Sequence, residues 1–493
     1  MSNKKKYNEL ECQTKDIEID KITSTVLDFI QPSNKDLQNV KSIEKEIQDK
    51  IKSYKIPQIV EVKTGGSFAK DTNLKKDMDI DIFILIDKNV NEQDFEQIAL
   101  DVGFKALKKY NPITRYSEHP YVEGFAYMNK KNNNREQIRL NIVPCYNVEK
   151  GLWKSAADRS QYHTEFMQKM LIPDQKNQIR ILKSFLKGIG IYGAELSTAG
   201  FSGYVTEVLV LKYGNFKNVI KNIATLKKKG EIIAIENNSN ENIYKKFESP
   251  IIIIDPIDPN RNLGTAISSE SLSRFIFGAR TFLANPSINF FNINKKKNMM
   301  KNIENQLENV EELLPNIVVL EFNYRNRSSD IIWGQLKKLT KSISRHFTDN
   351  EYTIVKSECY IDNNTNSAKL IFLLKFIKLS PFFEKSGPSI FMENEVLQFV
   401  KKNKEKSPML WIGEDMKVSC LRKMKIRNAI EFLDHSIKIK KGSKIGIPNG
   451  LINDLDKGFK IYTINKVRLR NTDTKRLIHD FLFKDMMLFE SRS

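Results

Sequence analysis

Apolar positions in the first part of the chain follow helical and strand spacings in turn. After a polar lead-in of residues 1–15, apolar residues recur every three or four positions over residues 17–54, which predicts helix. A second helical pattern covers residues 95–110. Short apolar runs predict strands at residues 59–62, 80–86 and 138–143. We therefore expect a first α/β domain over residues 16–155.

The pattern changes beyond this domain. Residues 156–285 are mainly helical in pattern, with one strongly apolar strand at residues 251–254, and we expect them to form a central domain. Residues 286–297 are rich in Asn and Lys, which predicts a linker or exposed connection at the start of a C-terminal part over residues 286–493. A helical pattern then precedes strand-like runs at residues 317–322, 352–360 and 368–377. The expected fold class is therefore α+β, with several domains.

The composition indicates a soluble protein with a polyanionic partner. Of 493 residues, 40% are hydrophobic, and 80 Lys and Arg against 60 Asp and Glu give a formal net charge of +20. Lys and Arg release condensed counterions when they contact phosphates, so such an excess favours a nucleic acid as the partner. A charge kept for solubility, or a codon bias toward Lys and Asn, explains the excess equally well.

Cysteine usage and hydropathy predict a cytoplasmic protein. The four cysteines, Cys12, Cys145, Cys359 and Cys420, form no CxxC pair, which argues against a disulfide framework and against a zinc site. The basic N-terminal residues are not followed by an apolar segment, so no signal peptide is expected. The most apolar stretch, residues 370–383, is interrupted by lysines and is too short to span a bilayer, so no membrane partner is expected.

One segment combines a Gly-Ser pair with two aspartates. Gly65-Gly66-Ser67 is followed, after eleven residues, by Asp79-Ile80-Asp81 at the start of an apolar run. On a strand the two aspartates lie on one face, where close carboxylates repel each other unless a divalent cation binds them. Mg²⁺ prefers such oxygen ligands, and a metal pair can activate a hydroxyl and stabilise leaving pyrophosphate. Gly66 lets the backbone approach a triphosphate, and the Ser67 hydroxyl can donate to a phosphate oxygen.

Further motifs carry a resemblance to a known family. A lone Asp-x-Asp pattern often marks a solvated strand end, but with the Gly-Ser pair before it the segment resembles the nucleotidyltransferase superfamily that includes DNA polymerase β. Later segments resemble, in the same order, those of the archaeal-type (class I) CCA-adding enzymes, and the resemblance covers nearly the whole chain. Another RNA 3′-nucleotidyltransferase, such as a poly(A) polymerase, is the weaker alternative, because it shares only the first motif. The later segments are Glu118-His119-Pro120-Tyr121, Asn141-Ile142-Val143-Pro144-Cys145-Tyr146, Phe185-Leu186-Lys187-Gly188, Ile191-Tyr192-Gly193-Ala194-Glu195, Gly200-Phe201-Ser202-Gly203-Tyr204 and Asp255-Pro256-Ile257-Asp258-Pro259-Asn260-Arg261-Asn262.

The resemblance implies a fold, a reaction and a set of binding residues. The fold is a polymerase-β-like nucleotidyltransferase palm, a helical central domain and a C-terminal α+β part that binds tRNA. The reaction is untemplated addition or repair of the 3′-terminal CCA of tRNA from CTP and ATP, with Mg²⁺ as the cofactor. Catalysis and metal binding are implied for Asp79, Asp81 and the position of Asn141. Nucleotide binding is implied for Gly66, Ser67, Ser160, His163, Lys183, Tyr192, Arg261 and Asn262.

The residue pattern alone gives some of these side chains a plainer interpretation. Lys183 lies among other basic residues on the polar side of an apolar helix stripe, which is normally a solvated face. A lone histidine such as His163 is more often packed or exposed than a ligand. Asp255 is equally compatible with a turn residue. Arg261 follows a buried strand in a Pro-bounded turn, which can hold a guanidinium rigidly; by resemblance, Arg261 and Asn262 shape a pocket that accepts C or A and excludes G or U.

One position departs from the family pattern. The family has a third carboxylate on the strand before the Val-Pro-Cys-Tyr segment, where this chain has Asn141. Alternation puts Gln137, Arg139 and Asn141 on one strand face, with no acid among them. An amide oxygen can bind a metal but cannot accept a proton from a 3′-hydroxyl, so reduced activity is expected. The alternative function is therefore a tRNA-binding protein of the same fold whose catalysis is lost or trapped.

Two basic clusters in the C-terminal part are candidates for tRNA binding. They span residues 438–444 and 466–470, where charged positions alternate with apolar ones, as on a half-buried strand with a basic face. A CCA-adding enzyme must recognise tRNA by its backbone shape, which is read through phosphates and 2′-hydroxyls. A solvated surface is the alternative for each residue, and a homodimer is a further candidate assembly. The candidate tRNA-binding residues are Lys438, Lys440, Arg468 and Arg470.

Overall fold

The chain forms two compact units in the computed structural model. The first unit comprises Met1–Lys297 together with Asp485–Ser493, and the second comprises Asn298–Lys484. No helix within the described residues is both long and apolar enough to cross a membrane. The residues that the structure describes are 2–116, 118–129, 135–236, 247–291, 293, 299–439 and 445–489.

A mixed five-stranded sheet forms the first part of unit one. Its strands are β1 (Ile59–Gly65), β2 (Ile80–Asp87), β3 (Ile113–Tyr116), β4 (Pro120–Asn129) and β5 (Arg135–Asn147). The strand order is β1-β2-β5-β4-β3, with β2 and β5 as the parallel pair. The even-numbered residues of β2, from Ile80 to Ile86, are almost fully buried in the core. The opposite alternation puts Asp81 on the other face, aligned with Gly65 of β1 and Asn141 of β5.

Helices cover the buried face of this sheet. Helix Asn34–Ser53 begins at Ser33, whose side chain accepts from the Asp36 N–H, and helix Glu92–Ala106 begins at Asn91, which caps it in the same way. Their apolar faces pack into the core with the isoleucines of β2. The strands predicted at residues 59–62, 80–86 and 138–143 and the helical pattern at 95–110 are confirmed. Two short helices, Gly66–Ala69 and the 3-10 helix Lys108–Tyr110, complete this part.

The rest of unit one is mainly helical, as the pattern predicts. Two short parallel strands, β6 (Glu231–Ile233) and β7 (Ile251–Ile253), lie among the helices. Buried phenylalanines pack against one another, stacked or edge to face, within a core that is also rich in isoleucine. At Gly188 a Cβ would lie 1.8 Å from the carbonyl oxygen of Phe290, so the close packing of these two segments requires glycine. The helices are Ser2–Ile30, Arg159–Met170, Pro173–Gly188, Gly203–Tyr213, Phe216–Ala224, Ser269–Ala284 and Met486–Phe489, with 3-10 helices Ala156–Asp158, Leu263–Ala266 and Ile288–Phe291.

Antiparallel sheets and helices make up unit two, as expected for an α+β domain. The strands are β8 (Ile317–Asn323), β9 (Ile354–Asp362), β10 (Ser367–Leu374), β11 (Phe382–Ser389), β12 (Met409–Ile412), β13 (Lys417–Lys423) and β14 (Phe459–Thr463). One sheet has the order β14-β8-β10-β9 and another has the order β11-β13-β12. Strand β10 separates two cores, because Leu370 and Phe372 pack on one face and Ile371 and Leu373 on the other. The helices are Met299–Glu308, Ser329–Thr348, Glu393–Asn403, Ala429–Lys438, Asn449–Asp456 and Thr472–Phe483, with 3-10 helices Glu311–Asn316 and Arg468–Arg470.

Two segments differ from their predicted conformation. The N-terminal segment expected to be a lead-in is helical, since the first helix, Ser2–Ile30, begins at its start. The first half of this helix contains neither Pro nor Gly, so nothing in it interrupts a helix. It is also polar on all sides, and a helix without an apolar stripe cannot be recognised from the spacing of apolar residues. The expected linker 286–297 contains Phe290 and Phe291, which are buried in the helical core. Residues 292 and 294–297 of that linker lie outside the described residues.

Within the described residues, the strand predicted for the two basic clusters is wrong. Lys438 ends the helix Ala429–Lys438, and Arg468 and Arg470 lie in a 3-10 helix. Lys440 lies outside the described residues. The apolar residues do not share one buried face, because Ile437 is 5% exposed whereas Val467 is 65% exposed. Alternation over four or five residues is too short to distinguish a strand from the end of a helix.

Candidate active site

The two aspartates lie at the start of β2, beside β5. The Nη2 atom of Arg139 donates to Oδ2 of Asp79 at 3.1 Å, and the Nδ2 atom of Asn141 donates to Oδ1 of Asp81 at 2.8 Å. The parallel register brings Asn141 to this position, because it aligns that residue with Asp81. We call these four side chains the carboxylate edge. Its two acids have one cationic partner, so the edge carries net negative charge.

The pKa of Asp79 reflects this crowding. Burial raises the pKa of Asp79 above its ordinary value, and the negative charges of Asp81 and Asp77 add to the rise. The charge of Arg139 opposes the rise without cancelling it. A cation bound at this point would lower the pKa of both carboxyl groups, because a nearby positive charge favours the ionised form whereas a nearby negative charge disfavours it.

The carboxylate edge fits a divalent cation. The Oδ1 atom of Asn141 is buried and has no hydrogen-bond partner within the described part of the chain, which is unfavourable unless a ligand satisfies it. At Gly66, where φ is +69°, a Cβ would lie 2.0 Å from Oδ2 of Asp81, so glycine keeps the approach to this carboxylate open. Carboxylate and amide oxygens are hard donors of the kind that Mg²⁺ binds.

A separate group of metal-ligating atoms consists of Glu92, Glu96 and His119. The Nδ1 atom of His119 lies 3.2 Å from Oε1 of Glu96 and 3.9 Å from Oε1 of Glu92. The His119 ring also packs on the rings of Phe95 and Tyr146. A hydrogen-bonded contact between His119 and Glu96, held against aromatic rings, accounts for this arrangement, so we assign it no function.

One cavity beside Asp81 collects most of the residues that the sequence predicts. It has a volume of about 270 Å³. Several separate helices contribute to its walls. Ser67 lies in the helix that follows β1, His163 in the helix Arg159–Met170 and Lys183 in the helix Pro173–Gly188. Asp79, Asn141, Arg261 and Asn262 do not line it. The predicted residues that line the cavity are Gly66, Ser67, Asp81, Ser160, His163, Lys183 and Tyr192.

Two buried lysines meet a buried glutamate on the wall of this cavity. The Nζ atom of Lys70 donates to Oε2 of Glu207 at 2.5 Å. The hydroxyl of Thr72 donates to Oε1 of the same carboxylate at 2.7 Å. The Nζ atom of Lys183 donates to the carbonyl oxygen of Thr72 at 2.9 Å and lies 3.6 Å from Glu207. We call Lys70, Thr72, Lys183 and Glu207 the lysine clamp.

Burial and ion pairing have opposite effects on the pKa values of the side chains in the lysine clamp. Burial lowers the pKa of Lys183 to about 8, although Glu207 partly opposes the change. Burial alone would raise the pKa of Glu207, but Lys70 and Lys183 bring it below its ordinary value, so the carboxylate stays ionised. Near neutral pH the clamp therefore holds two cations against one anion. Its net positive charge suits the binding of a phosphate chain.

A second buried carboxylate joins His163 to Arg261. The Nε2 atom of His163 lies 2.9 Å from Oδ2 of Asp255, and the Nη1 atom of Arg261 lies 3.2 Å from the same oxygen. The ring of Tyr204 stacks on that of His163 at a centroid distance of 3.9 Å. Burial lowers the pKa of His163, although its bond to Asp255 opposes this, and the charges of Arg261 and Lys70 lower it further. His163 is therefore mainly neutral near pH 7.

The side chain of Asn262 is used within its own turn. Its Oδ1 atom accepts from the N–H groups of Ile253 at 2.9 Å and Gly264 at 2.7 Å. Its Nδ2 atom is buried and has no partner within the described residues. This geometry explains why the turn needs Asn262, and a direct contact with a nucleotide stays a prediction.

The described basic residues of the C-terminal clusters lie in local ion pairs and ring contacts. Lys438 donates to Asp434 at 2.8 Å across one turn of its helix. The guanidinium of Arg468 lies 3.9 Å from the centroid of the Tyr462 ring. Arg470 lines a cavity of about 470 Å³ that it shares with acidic residues, among them Glu308 and Glu311. The local acids offset part of the positive charge that the sequence alone attributes to these clusters.

Sequence reasoning missed Lys70, Thr72 and Glu207 as parts of the site. Lys70 and Thr72 stand only three and five residues after Ser67, within the same block, so their position was a usable signal. Glu207 lies in the apolar helix Gly203–Tyr213, where a lone acid is rarely buried unless it is paired. These two partners of Glu207 could not be identified from the sequence, because Lys70 and Thr72 lie 137 and 135 residues away in the chain.

Comparisons with known proteins cover most of the chain. Family models described as a nucleotidyltransferase domain, as the second domain of tRNA nucleotidyltransferase and as the C-terminal domain of the CCA-adding enzyme match residues 40–163, 177–292 and 315–462. The CCA-adding enzyme of Methanocaldococcus jannaschii is 37% identical over 398 residues, which cover 78% of this chain and 84% of that protein. The CCA-adding enzyme of Saccharolobus islandicus is 31% identical over 421 residues, covering 85% and 92%. A solved cytoplasmic RNA terminal U-transferase is 14% identical, covers 56% of this chain and 97% of that one, and has a TM-score of 0.43, which is too low to support a conclusion.

Proposed function

Since this chain belongs to the archaeal-type CCA-adding enzyme family, we propose that it adds or repairs the 3′-terminal CCA of tRNA, without a template, from CTP and ATP. The observation that carries the proposal is the single cavity in which Ser67, Lys183 and His163 converge beside Asp81. The reaction is attack of the RNA 3′-hydroxyl on the α-phosphate of the nucleotide, with pyrophosphate as the leaving group. No covalent intermediate with the protein is needed, so positioning and charge neutralisation supply the rate enhancement.

The lysine clamp and its neighbours bind the triphosphate in this proposal. Lys70 and Lys183 offer cationic donors from one wall, and Ser67 offers a hydroxyl at the start of a short helix. Tyr192 and Ser160 offer further hydroxyls on the same cavity. Charge-assisted hydrogen bonds from fixed ammonium groups are stronger than neutral ones, so this wall supports binding of the β- and γ-phosphates.

The carboxylate edge holds the metal in this proposal. Asp79, Asp81 and the Asn141 amide oxygen would hold Mg²⁺, which when bound would lower the pKa of the 3′-hydroxyl and offset charge on the phosphates. A two-metal arrangement is part of the proposal. The chain's own contribution is the fixed spacing of these oxygens, which the parallel pairing of β2 and β5 sets.

Asn141 supports one alternative. It donates to Asp81 at 2.8 Å, so it uses an acceptor of that carboxylate and adds no negative charge. A tRNA-binding protein whose catalysis is lost or trapped would have this feature. We propose the active enzyme instead, because the lysine clamp and the cavity are complete, and a buried network of charges is costly to retain without use.

Incubation with tRNA that lacks its terminal A, with Mg²⁺ and single nucleotides, tests these proposals. Incorporation of CTP and ATP limited to completion of CCA supports the enzyme. No incorporation, with tRNA binding retained, supports the alternative. A long untemplated A tail would indicate a poly(A) polymerase and would overturn the proposal.

The proposal extends to the tRNA contacts, the oligomeric state and the cellular location of the protein. The tRNA partner is bound in part by the basic residues Lys438, Lys440, Arg468 and Arg470. A homodimer is a prediction that sedimentation velocity would test. A cytoplasmic location is proposed from the absence of paired cysteines within the described residues, of which Cys145, Cys359 and Cys420 are free thiols.

A further inference from the structure

The turn that follows β7 contains a buried carboxylate that the proposed mechanism does not yet use. Asp255 is fully buried. Its Oδ1 atom accepts from the N–H of Ile257 at 3.0 Å, and its Oδ2 atom faces His163 and Arg261. Backbone bonds already close the turn, from the N–H of Asp255 to the carbonyl of Arg261 and from the N–H of Arg261 to the carbonyl of Asp258. The negative charge of Asp255 is therefore not needed to form the turn.

A buried charge is costly unless its partners stabilise it. Burial raises the pKa of Asp255, but the hydrogen bonds from His163 and from the N–H of Ile257, together with the charge of Arg261, outweigh this effect and hold the pKa below its ordinary value. The partners come from different elements, His163 from the helix Arg159–Met170 and Arg261 from the turn. One carboxylate oxygen thus connects two side chains for which the resemblance implies nucleotide binding.

From this geometry we propose that Asp255 is a positioning residue that holds His163 and Arg261 as one unit, so that recognition of the base by Arg261 depends on the cavity wall that His163 forms. The inference rests on the proposed function, in which Arg261 helps to select C or A. Arg261 is 39% exposed, so its guanidinium remains open to a ligand while Asp255 fixes one end. The Oδ2 atom also determines that His163 carries a proton on Nε2, and stacking on Tyr204 fixes the plane of the ring.

The substitution Asp255→Asn tests the connection with little change in shape. The amide oxygen can still accept from the N–H of Ile257, but the amide NH₂ group then faces the Nη1 atom of Arg261, which is also a donor. The loss of an acceptor releases the guanidinium. The matched control is Asp258→Asn in the same turn, where Asp258 accepts from Nε of Arg159 at 2.9 Å and is 15% exposed. This pair joins the same two elements but does not line the cavity.

The measurement is kcat/KM for each nucleotide on tRNA ending in CC and on tRNA lacking CCA. Asp255→Asn is expected to lower the preference for ATP over GTP, and for CTP over UTP, by about tenfold or more. Asp258→Asn should leave both preferences unchanged. In an Arg261→Gln background, Asp255→Asn should cause no further loss of preference, because two residues that act through one contact are not additive.

A second comparison does not require that Asp255→Asn folds. His163→Asn should also lower the preference between bases, because it removes the other partner of the unit, whereas Ser67→Ala should raise KM for all four nucleotides alike. Equal preference in His163→Asn and wild type, or an unchanged preference in a folded Asp255→Asn protein, would overturn the inference. If Arg261→Gln itself keeps full preference, the role of Arg261 in the proposed function fails instead, and the two failures are thereby distinguished.

Discussion

The lysine clamp and the carboxylate edge both contribute residues to one cavity, the edge only through Asp81, but their charges are balanced in opposite ways. In the clamp, two buried cations share a buried carboxylate, and each polar atom has a protein partner. At the edge, crowded acids have one arginine between them, the pKa of Asp79 is raised, and Asn141 has a buried oxygen for which the described residues supply no donor. The polar groups of the clamp are therefore satisfied by the protein itself, whereas the edge offers oxygen atoms that suit a cation. In the proposed function, the clamp binds phosphate and the edge holds the metal.

The largest expected effect comes from removing an acid of the edge. Asp79→Ala or Asp81→Ala should lower nucleotide incorporation by at least about 10³-fold, because electrostatic stabilisation at the reacting phosphate is lost. Binding of tRNA should change little, since most of its affinity comes from phosphate contacts elsewhere. Asp87→Ala at the far end of β2 is the control, where the carboxylate accepts from the N–H of Asn89. Turnover like that of wild type in either edge variant would refute the assignment of the metal site.

Removing the acid of the clamp should instead affect stability. Glu207→Gln leaves Lys70 and Lys183 buried without a counter-charge, so the free energy of unfolding should fall by about 3–5 kcal/mol in denaturant titrations. Glu165→Gln is the control, because Glu165 pairs with Lys63 at 2.9 Å on the surface, where the side chains are 53% and 31% exposed. That change should cost about 1 kcal/mol or less. Equal losses in the two variants would show that the clamp is not a preformed unit.

Restoring the missing acid should make the edge more effective. Asn141→Asp should raise the incorporation rate by about one to two orders of magnitude, in line with the contribution of general-base catalysis. Asn147→Asp, at the exposed end of the same strand, is the control and should leave the rate unchanged. A fall in rate in Asn141→Asp would mean that the amide is preferred at this position.

The charge of Lys183 should make nucleotide capture dependent on pH. The ammonium form binds phosphate, and its pKa in the free protein is about 8, so kcat/KM for CTP should fall as the pH rises through about 8. Bound phosphate favours the charged form, so kcat should stay nearly constant over the same range. Glu207, Lys70 and Arg180 are the charged groups that influence Lys183, and the pKa of His163 lies too low to explain a change in this range. A flat profile of kcat/KM from pH 7 to 9 would contradict the expectation.

The smallest effect is expected from the second unit. Replacing Lys438, Lys440, Arg468 and Arg470 together with Gln should weaken tRNA binding. The slope of the logarithm of the binding constant against the logarithm of the salt concentration should also become shallower, by about one for each phosphate that the protein no longer neutralises. Activity on a minihelix should fall similarly if these residues contact the acceptor–T arm. Replacing the exposed residues Lys227, Lys228 and Lys229 with Gln is the control for net charge. An identical salt slope in the quadruple variant and wild type would remove these residues from the interface.

Local patterns predicted the edge better than the clamp. Strand β2 and the position of Asp81 followed from alternation over a few residues, and the helix with Lys183 followed from an apolar stripe. The interpretation of Lys183 as a solvated cation was wrong, because its environment depends on Glu207 and Thr72, which lie in other segments. The strand predicted at residues 466–470 was wrong for a related reason, since short alternation does not specify pairing. The spacing of residues along the chain predicts which side chains share one face of a helix or strand. It does not predict which distant segments supply the partners of a buried charge.

The helix Met486–Phe489, near the C-terminus, belongs to unit one and so affects the order in which the protein folds during synthesis. Unit one is interrupted in sequence by unit two and resumes at Asp485, and Leu488 then packs in its core beside Gly278. Arg274 also pairs with Asp485 at 2.9 Å. During synthesis on a ribosome, domains usually fold in the order in which they emerge. Here the first unit emerges first but completes its core last, so a nascent chain arrested within unit two has the proposed active-site residues but lacks the packing of Leu488 that completes the core around them.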